Sequence, residues 1–372
     1  MDASQKAGNV QGAPANVDNI ATSLSIEKNE DKELLDFLQE SVPKICVVGT
    51  GGSGCNTINR LSQMGIEGAE LIAANTDVQH LLKIKADKKI LLGKKLTRGM
   101  GAGSNPEIGE GAAKESIKEI EKALEGASMV FITCGMGGGT GTGSAHVIAE
   151  VAKNMGALTI GVVTLPFFSE GRQRRKNALE GLAKLRKKAD TTIVITNDKL
   201  LTIAPDLPLN TAFRISDEVL AGASKGITEL ITKAGLVNLD FADLKTILLN
   251  GGYAVIGTGE SSADSKPNER AKLAIEAALN SPLLDADIAG SNRALINVTG
   301  GADMTLREAE LMVTEVSARI AKDSHIIWGA RVDEDMPRNT IKVLVVLAGA
   351  EFPEYKLEQE KLSNMDIELD VI

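Results

Sequence analysis

Between residues 41 and about 200 the chain alternates short, nearly unbroken apolar runs with longer stretches of helical period. The runs are Pro43-Lys-Ile-Cys-Val-Val48, Glu70-Leu-Ile-Ala-Ala74, Met129-Val-Phe-Ile-Thr133, Ala157-Leu-Thr-Ile-Gly-Val-Val163 and Thr192-Ile-Val-Ile-Thr196. Short apolar runs without alternation fit strands covered on both faces, and helices between them predict a doubly wound, mainly parallel α/β sheet. The intervening helices are expected at 57–64, 107–124 and 144–153. From 208 to 233 a single long helix is predicted, because Ile215, Val219, Leu220, Ala223, Ile227, Leu230 and Ile231 recur at helical spacing. At 1.5 Å per residue it would be about 40 Å long. Beyond Gly251 the pattern changes to strands at 253–256, 294–298, 326–328 and 341–347, with helices at 268–279 and 305–320. Thr305 and Glu308 form a capping box at the start of the latter. The expected organisation is a disordered arm with a short helix (1–40), an α/β domain (41–207), a central helix (208–234), a smaller α+β domain (235–350) and a polar tail (351–372).

Composition narrows the function classes. Aromatic residues are only 3% and the formal net charge is −9, so neither a stacking surface nor a basic face for nucleic acid is expected. The short basic run Arg172-Gln-Arg-Arg-Lys176 is a local exception that reads most simply as a solvated helix face. Cys46, Cys55 and Cys134 show no CxxC pairing, which argues against a zinc site and a disulfide framework and for a reducing cytoplasm. No basic, apolar leader opens the sequence, and no apolar run approaches the roughly 18 residues of a membrane span. Direct membrane insertion is therefore not expected.

The candidate chemistry lies in glycine loops. Cys134-Gly-Met-Gly-Gly-Gly-Thr-Gly-Thr-Gly143 follows one apolar run and opens a helix. Backbone N–H groups without side chains can approach an anion there, positive φ is open to them, and the helix adds its positive end. Phosphate is the expected guest, with Thr140 and Thr142 as further donors. A second loop, Gly49-Thr-Gly-Gly-Ser-Gly-Cys-Asn56, also joins a strand to a helix, and a third, Leu96-Thr-Arg-Gly-Met-Gly-Ala-Gly-Ser-Asn-Pro106, precedes another helix. Gly49, Gly51 and Gly54 satisfy GxGxxG, which leaves open a Rossmann-type NAD-binding dehydrogenase with Glu70 or Asp77 on the ribose. Against it stand the second glycine loop and the lack of an evident catalytic arrangement downstream. No GxxxxGK[ST] is present, so a P-loop is excluded. Two glycine loops in one parallel sheet suggest a single nucleotide gripped from both sides.

Phe131-Ile-Thr-Cys-Gly-Met-Gly-Gly-Gly-Thr-Gly-Thr-Gly-Ser-Ala145 closely resembles the signature loop of the FtsZ family, tubulin-like GTP-dependent division proteins of bacteria and archaea. The resemblance covers roughly residues 40–350 and suggests an archaeal-type member. One departure is His146, where the family usually has Pro. The resemblance implies a tubulin/FtsZ-like fold and GTP, or GDP after turnover, with its phosphates on Gly52, Ser53, Gly54, Cys55 and Asn56 and on Gly139, Thr140 and Gly141. It places Asn75 at the nucleotide, the third glycine loop near the γ-phosphate, Glu170 on the ribose, Arg174 beside the nucleotide, Phe213 stacked on the base and Asp217 reading its edge. Asn238, Asp240 and Asp243 match the family's N-x-D-x-x-D catalytic loop. Mg²⁺ is expected with the phosphates, and no protein ligand for it can be named. A homopolymer is implied, in which the 238–243 loop of one subunit completes the site of the next, at a mid-cell ring reached through division-site and membrane-tethering proteins that bind the C-terminal tail.

Overall fold

The computed structural model describes residues 43–350 apart from 204–207, 234–235, 238, 262–265, 267–268, 282–283 and 285. The expected arm with its helix at 31–40, the tail at 351–372, and Asn238 lie outside the described residues.

In β1 (Ile45–Thr50) every residue is buried, and alternate side chains enter different cores. Ile45 and Val47 belong to the cluster on one face of the sheet, Cys46 and Val48 to the cluster on the other. That two-sided burial is why the run carries no polar alternation. β2 (Ala69–Asn75), β3 (Lys88–Leu91), β4 (Met129–Gly135), β5 (Leu158–Leu165) and β6 (Thr191–Thr196) join it in parallel. The order across this half is β3-β2-β1-β4-β5-β6. Chain direction across the sheet reverses between β1 and β4, and such a switch point opens a crevice at the carboxyl ends of the strands.

Two crossover helices start at that crevice, α1 (Gly51–Gln63) after β1 and α5 (Thr140–Asn154) after β4. Each begins four to six residues earlier than its apolar period predicts, so glycines expected in loops form first turns. Between β2 and β3 lies the short α2 (Val78–Lys83). The helix expected over 107–124 is two, α3 (Pro106–Glu115) and α4 (Ile117–Ala123), divided at Ser116, whose hydroxyl accepts from Gly93 N. α3 crosses α5 at backbone distance: a Cβ on Gly109 would lie 2.2 Å from Gly139 O, and one on Gly143 2.1 Å from Pro106 O. α6 (Arg172–Lys188) and α7 (Asn197–Ile203) flank β6.

The long helix is present as α8 (Leu209–Thr232), about 36 Å from end to end at 1.5 Å per residue. Its buried residues Leu220, Ala223, Ile227 and Leu230 face the second core. α9 (Phe241–Leu248) leads into β7 (Gly252–Glu260), followed by α10 (Arg270–Leu279), β8 (Arg293–Gly300), α11 (Leu306–Ser317), β9 (His325–Val332) and β10 (Ile341–Ala348). The capping box at Thr305 and Glu308 is formed, and Glu308 with Asp303 clasps the Arg270 guanidinium, which is 2% exposed. β7 pairs with β6 in parallel and with β10 antiparallel, so one ten-stranded sheet carries both halves. We retain the expected boundaries as a proposed division of labour along that sheet, with α8 between its halves.

Candidate nucleotide site

The two glycine junctions meet at the switch point. Gly51 has φ +73°, and a Cβ there would lie 2.7 Å from Gly141 N, so the β1 and β4 loops abut through bare backbone. Thr76 and Thr140 hydroxyls are 2.6 Å apart, as are those of Thr50 and Ser144, which binds the β2 end and α5 to the same crevice. The first-turn N–H groups of α1 and α5 have no carbonyl four residues back, and with the helix dipoles they form a field suited to phosphate. Gly52 and Gly138 border it: among the described residues a Cβ on either would meet nothing within 4 Å.

Gly139 is different from what its loop suggests. Its φ of −79° is helical, so positive φ is not why it is glycine. A Cβ there would lie 2.9 Å from both Ala102 Cβ and Asn105 N, because the third glycine loop folds over it. Gly54 and Cys55 also face inward. A Cβ on Gly54 would strike Thr133 O at 2.3 Å, and Cys55 Sγ is buried against the carbonyls of Gly49 and Ala74, where burial pushes its thiol up to about 12. Both can offer a ligand only their backbone.

Around the crevice the remaining candidates fall into three places. Asn75 is buried, its Oδ1 accepts from Thr76 N at 2.8 Å, and its amide meets His80 Nδ1 at 3.2 Å. His80 Nε2 in turn meets Asn56 Oδ1 at 3.1 Å, which fits a neutral ring protonated on Nε2. Asn75 thus braces Asn56 across His80, while the cap of α2 is Asp77. Glu170 accepts from Phe167 N at 2.8 Å and pairs with Arg174 Nε at 3.0 Å. Arg174 packs on the phosphate loop, since a Cβ on Gly137 would lie 2.7 Å from its Cγ. Phe213 stands edge-on to Phe167, centroids 5.5 Å apart, and keeps 38% exposure.

Asp217, on α8, accepts from Ser53 Oγ at 3.1 Å, which joins the long helix to the phosphate loop. Burial raises its carboxyl to about 6, hydrogen bonds from Ser53 and Asn56 pull it back, and Glu218 pushes the same way as burial. A carboxylate at this point can accept from the N1–H and N2–H₂ edge of guanine, which adenine lacks. Guanine nucleotide affinity is therefore expected to be constant above that pKa and to fall as the pH drops through it, because the neutral acid cannot accept both bonds. Without ligand the sign is opposite: a buried carboxyl with a raised pKa adds stability as the pH falls through about 6 and loses it as the pH rises. Asp217→Asn should flatten both profiles. Equal affinity in the wild type one unit above and one unit below that pKa would remove Asp217 from the base edge, as would equal competition by ATP and GTP.

Asp240 and Asp243 are not brought to this crevice. They open α9 beyond the far end of α8 as a reciprocal capping box, Asp240 Oδ1 accepting from Asp243 N at 2.8 Å and Asp243 Oδ2 from Asp240 N at 3.2 Å. Each carboxylate keeps a second oxygen outside this pair of bonds.

Gly138 and Thr76 carry no motif signal of their own. Their roles rest on space and distance, which spacing along the chain does not encode. His146 lies not in the loop but as the seventh residue of α5, 7% exposed. A cavity of about 580 Å³ between α8 and the mixed half of the sheet is a poor phosphate site, since Glu229, Glu260, Asp333 and Asp335 outnumber Arg331 and Lys342 on its wall. The dehydrogenase alternative fails on position. Glu70 pairs with Cys46 near the amino end of the sheet and is held by Lys44 and Lys88, while Asp77 caps α2.

Comparison with known proteins identifies the fold and the family. The family model of the Tubulin/FtsZ family GTPase domain matches residues 44–205, and that of the FtsZ family C-terminal domain matches residues 252–351. The chain is 57% identical over 337 residues to cell division protein FtsZ 1 of Methanocaldococcus jannaschii, covering 90% of this chain and 91% of that protein. It is 54% identical to cell division protein FtsZ 1 of Thermococcus kodakarensis, covering 92% of this chain and 90% of that one. A solved empty FtsZ dimer from M. jannaschii superposes with a TM-score of 0.80 at 58% identity, over 87% of this chain and 92% of that one.

Proposed function

The chain belongs to the tubulin/FtsZ family, and from that premise we infer that it binds and hydrolyses GTP and assembles head to tail into filaments of a cell-division ring. One relation in the fold carries the reading furthest. α8 carries Phe213 and Asp217 at the crevice and ends at Thr232, about 22 Å past Asp217 at 1.5 Å per residue, and Asp240 and Asp243 open α9 beyond that end, where they do not serve the same nucleotide. Of the carboxylates assigned to the nucleotide, Glu170 is engaged by Arg174 and Asp217 by Ser53. A neighbour's 238–243 loop laid over the crevice supplies what is missing. Such a contact joins two different faces, does not close on itself, and so yields an open filament.

In this reading the phosphates lie along 52–56 and 139–141 with Arg174 beside them, Phe213 covers the base, Asp217 reads it, and Glu170 meets the ribose. Water attacks the γ-phosphorus as the bond to the β–γ bridging oxygen breaks, giving GDP and phosphate. The neighbour's Asp240 and Asp243 orient that water and accept its proton. Among the described residues no three His, Cys, Asp or Glu side chains converge as a metal cage, so Mg²⁺, which neutralises phosphate charge in such transfers, would be held mainly by the nucleotide. No described helix is long and apolar enough to cross a membrane. We place the filament at mid-cell, held there through proteins that engage the acidic 351–372 tail.

Phosphate release from GTP, measured against protein concentration, tests the reading. Release per subunit should rise with concentration and then level off. A constant value would defeat the shared site, and binding without release at any concentration would leave only a nucleotide-binding scaffold.

A further inference from the structure

Three helices on one face of the sheet start at the nucleotide crevice. α3 follows the third glycine loop, α5 opens at Thr140, and α6 follows Glu170 and Gly171. One carboxylate reaches all three. Glu110, on α3, accepts from Lys184 of α6 at 2.8 Å and lies 3.4 Å from His146 Nε2 of α5, besides accepting from Lys114 of its own helix at 2.7 Å. The two lysines hold its carboxyl down at about 2, so it remains an anion. Among the described residues His146 Nδ1 has no hydrogen-bond partner, and burial keeps the ring below the ordinary histidine pKa. The imidazole therefore packs as a neutral wedge and Lys184 provides the charged tie.

What this junction holds in place is set by the backbone contacts beside it. α3 and α5 cross without intervening side chains at Gly109 and Gly143, and the turn before α3 rests on Gly139, with Asn105 N where a Cβ would be. A small slide of α3 would therefore shift the 101–105 turn across the phosphate loop. α6 carries Arg174 against Gly137 on the other side of that loop. Building on the GTP site inferred above, we propose that Glu110 is a positioning residue for it. By tying α3 to α6 across α5, it fixes the turn expected at the γ-phosphate relative to the segment expected at the ribose.

The two lysines separate this role from simple helix stabilisation. Lys184 joins two helices, whereas Lys114 lies one turn along the same helix as Glu110. Lys184→Met and Glu110→Gln should raise the dissociation constant for GTP about five- to tenfold, the size of one ordinary net hydrogen bond, with turnover at saturating GTP unchanged. Lys184→Arg should restore affinity, and Lys114→Met should leave it at the wild-type value. Unchanged GTP affinity in Lys184→Met would overturn the proposal, as would an equal shift in Lys114→Met or a lower melting temperature with affinity intact. Failure of the wild-type chain to bind GTP would instead sink the underlying site assignment and this inference with it.

Discussion

Asp243→Asn is expected to lower GTP turnover by about 10² to 10⁴, the usual contribution of an acid–base group, without changing GTP affinity. The capping box makes asparagine a better probe than alanine. Asp243 Oδ2 accepts from Asp240 N, and an amide oxygen can replace it, so the α9 start survives while the charge is lost. Alanine at the cap itself, Asp240, would cost about 1 kcal/mol of helix stability and confuse the result. Filaments of Asp243→Asn should persist with GTP unhydrolysed. Mixing it with a variant whose crevice is blocked but whose 238–243 loop is intact should recover part of the turnover, since each supplies what the other lacks. Wild-type turnover by Asp243→Asn alone, with the same concentration dependence, would show that hydrolysis proceeds within one subunit.

Gly138→Val is that blocked variant, and it should weaken GTP binding by about 10² or more, equivalent to two lost hydrogen bonds to a charged group. Its side chain would grow into open space, where a phosphate is expected, and its φ is not in the left-handed region. The fold should therefore be nearly undisturbed, with thermal unfolding within about 0.5 kcal/mol of wild type. Gly139→Val, the substitution its place in the motif suggests first, is a worse test. Its Cβ would press on Ala102 and on the backbone of Asn105, so lost binding could reflect a displaced turn. Wild-type GTP affinity in Gly138→Val, measured by calorimetry, would show that the loop has no phosphate role.

The contrast between those glycines marks where sequence is legible and where it is not. Strands such as Ile45–Thr50 and Leu158–Leu165 announce themselves because both faces are buried. β3 does not: its four residues include Lys88 and Lys89, and only pairing with β2 makes it a strand. Helix starts were displaced because glycine reads as a breaker, yet in a first turn the N–H groups have no helical partner to lose. Ser116 divides a helix through a hydrogen bond from Gly93, twenty-three residues away and invisible to local propensity. At the site, motif spacing identifies which loops converge. It does not reveal that Cys55 turns inward, that Ser53 reaches Asp217, or that Asp240 and Asp243 hold each other.

The close crossing of α3 and α5 also bears on how this chain can evolve. Gly109 and Gly143 are fixed by neighbouring backbone, whereas Gly52 and Gly138 have empty space before them. In descendants that still use nucleotide, selection should keep all four unchanged, and invariance alone would not distinguish the reasons. A duplicated copy that had lost its ligand would separate them. Side chains would accumulate at the positions of Gly52 and Gly138 within a few substitutions, while those of Gly109 and Gly143 stayed bare for as long as the two helices remained packed.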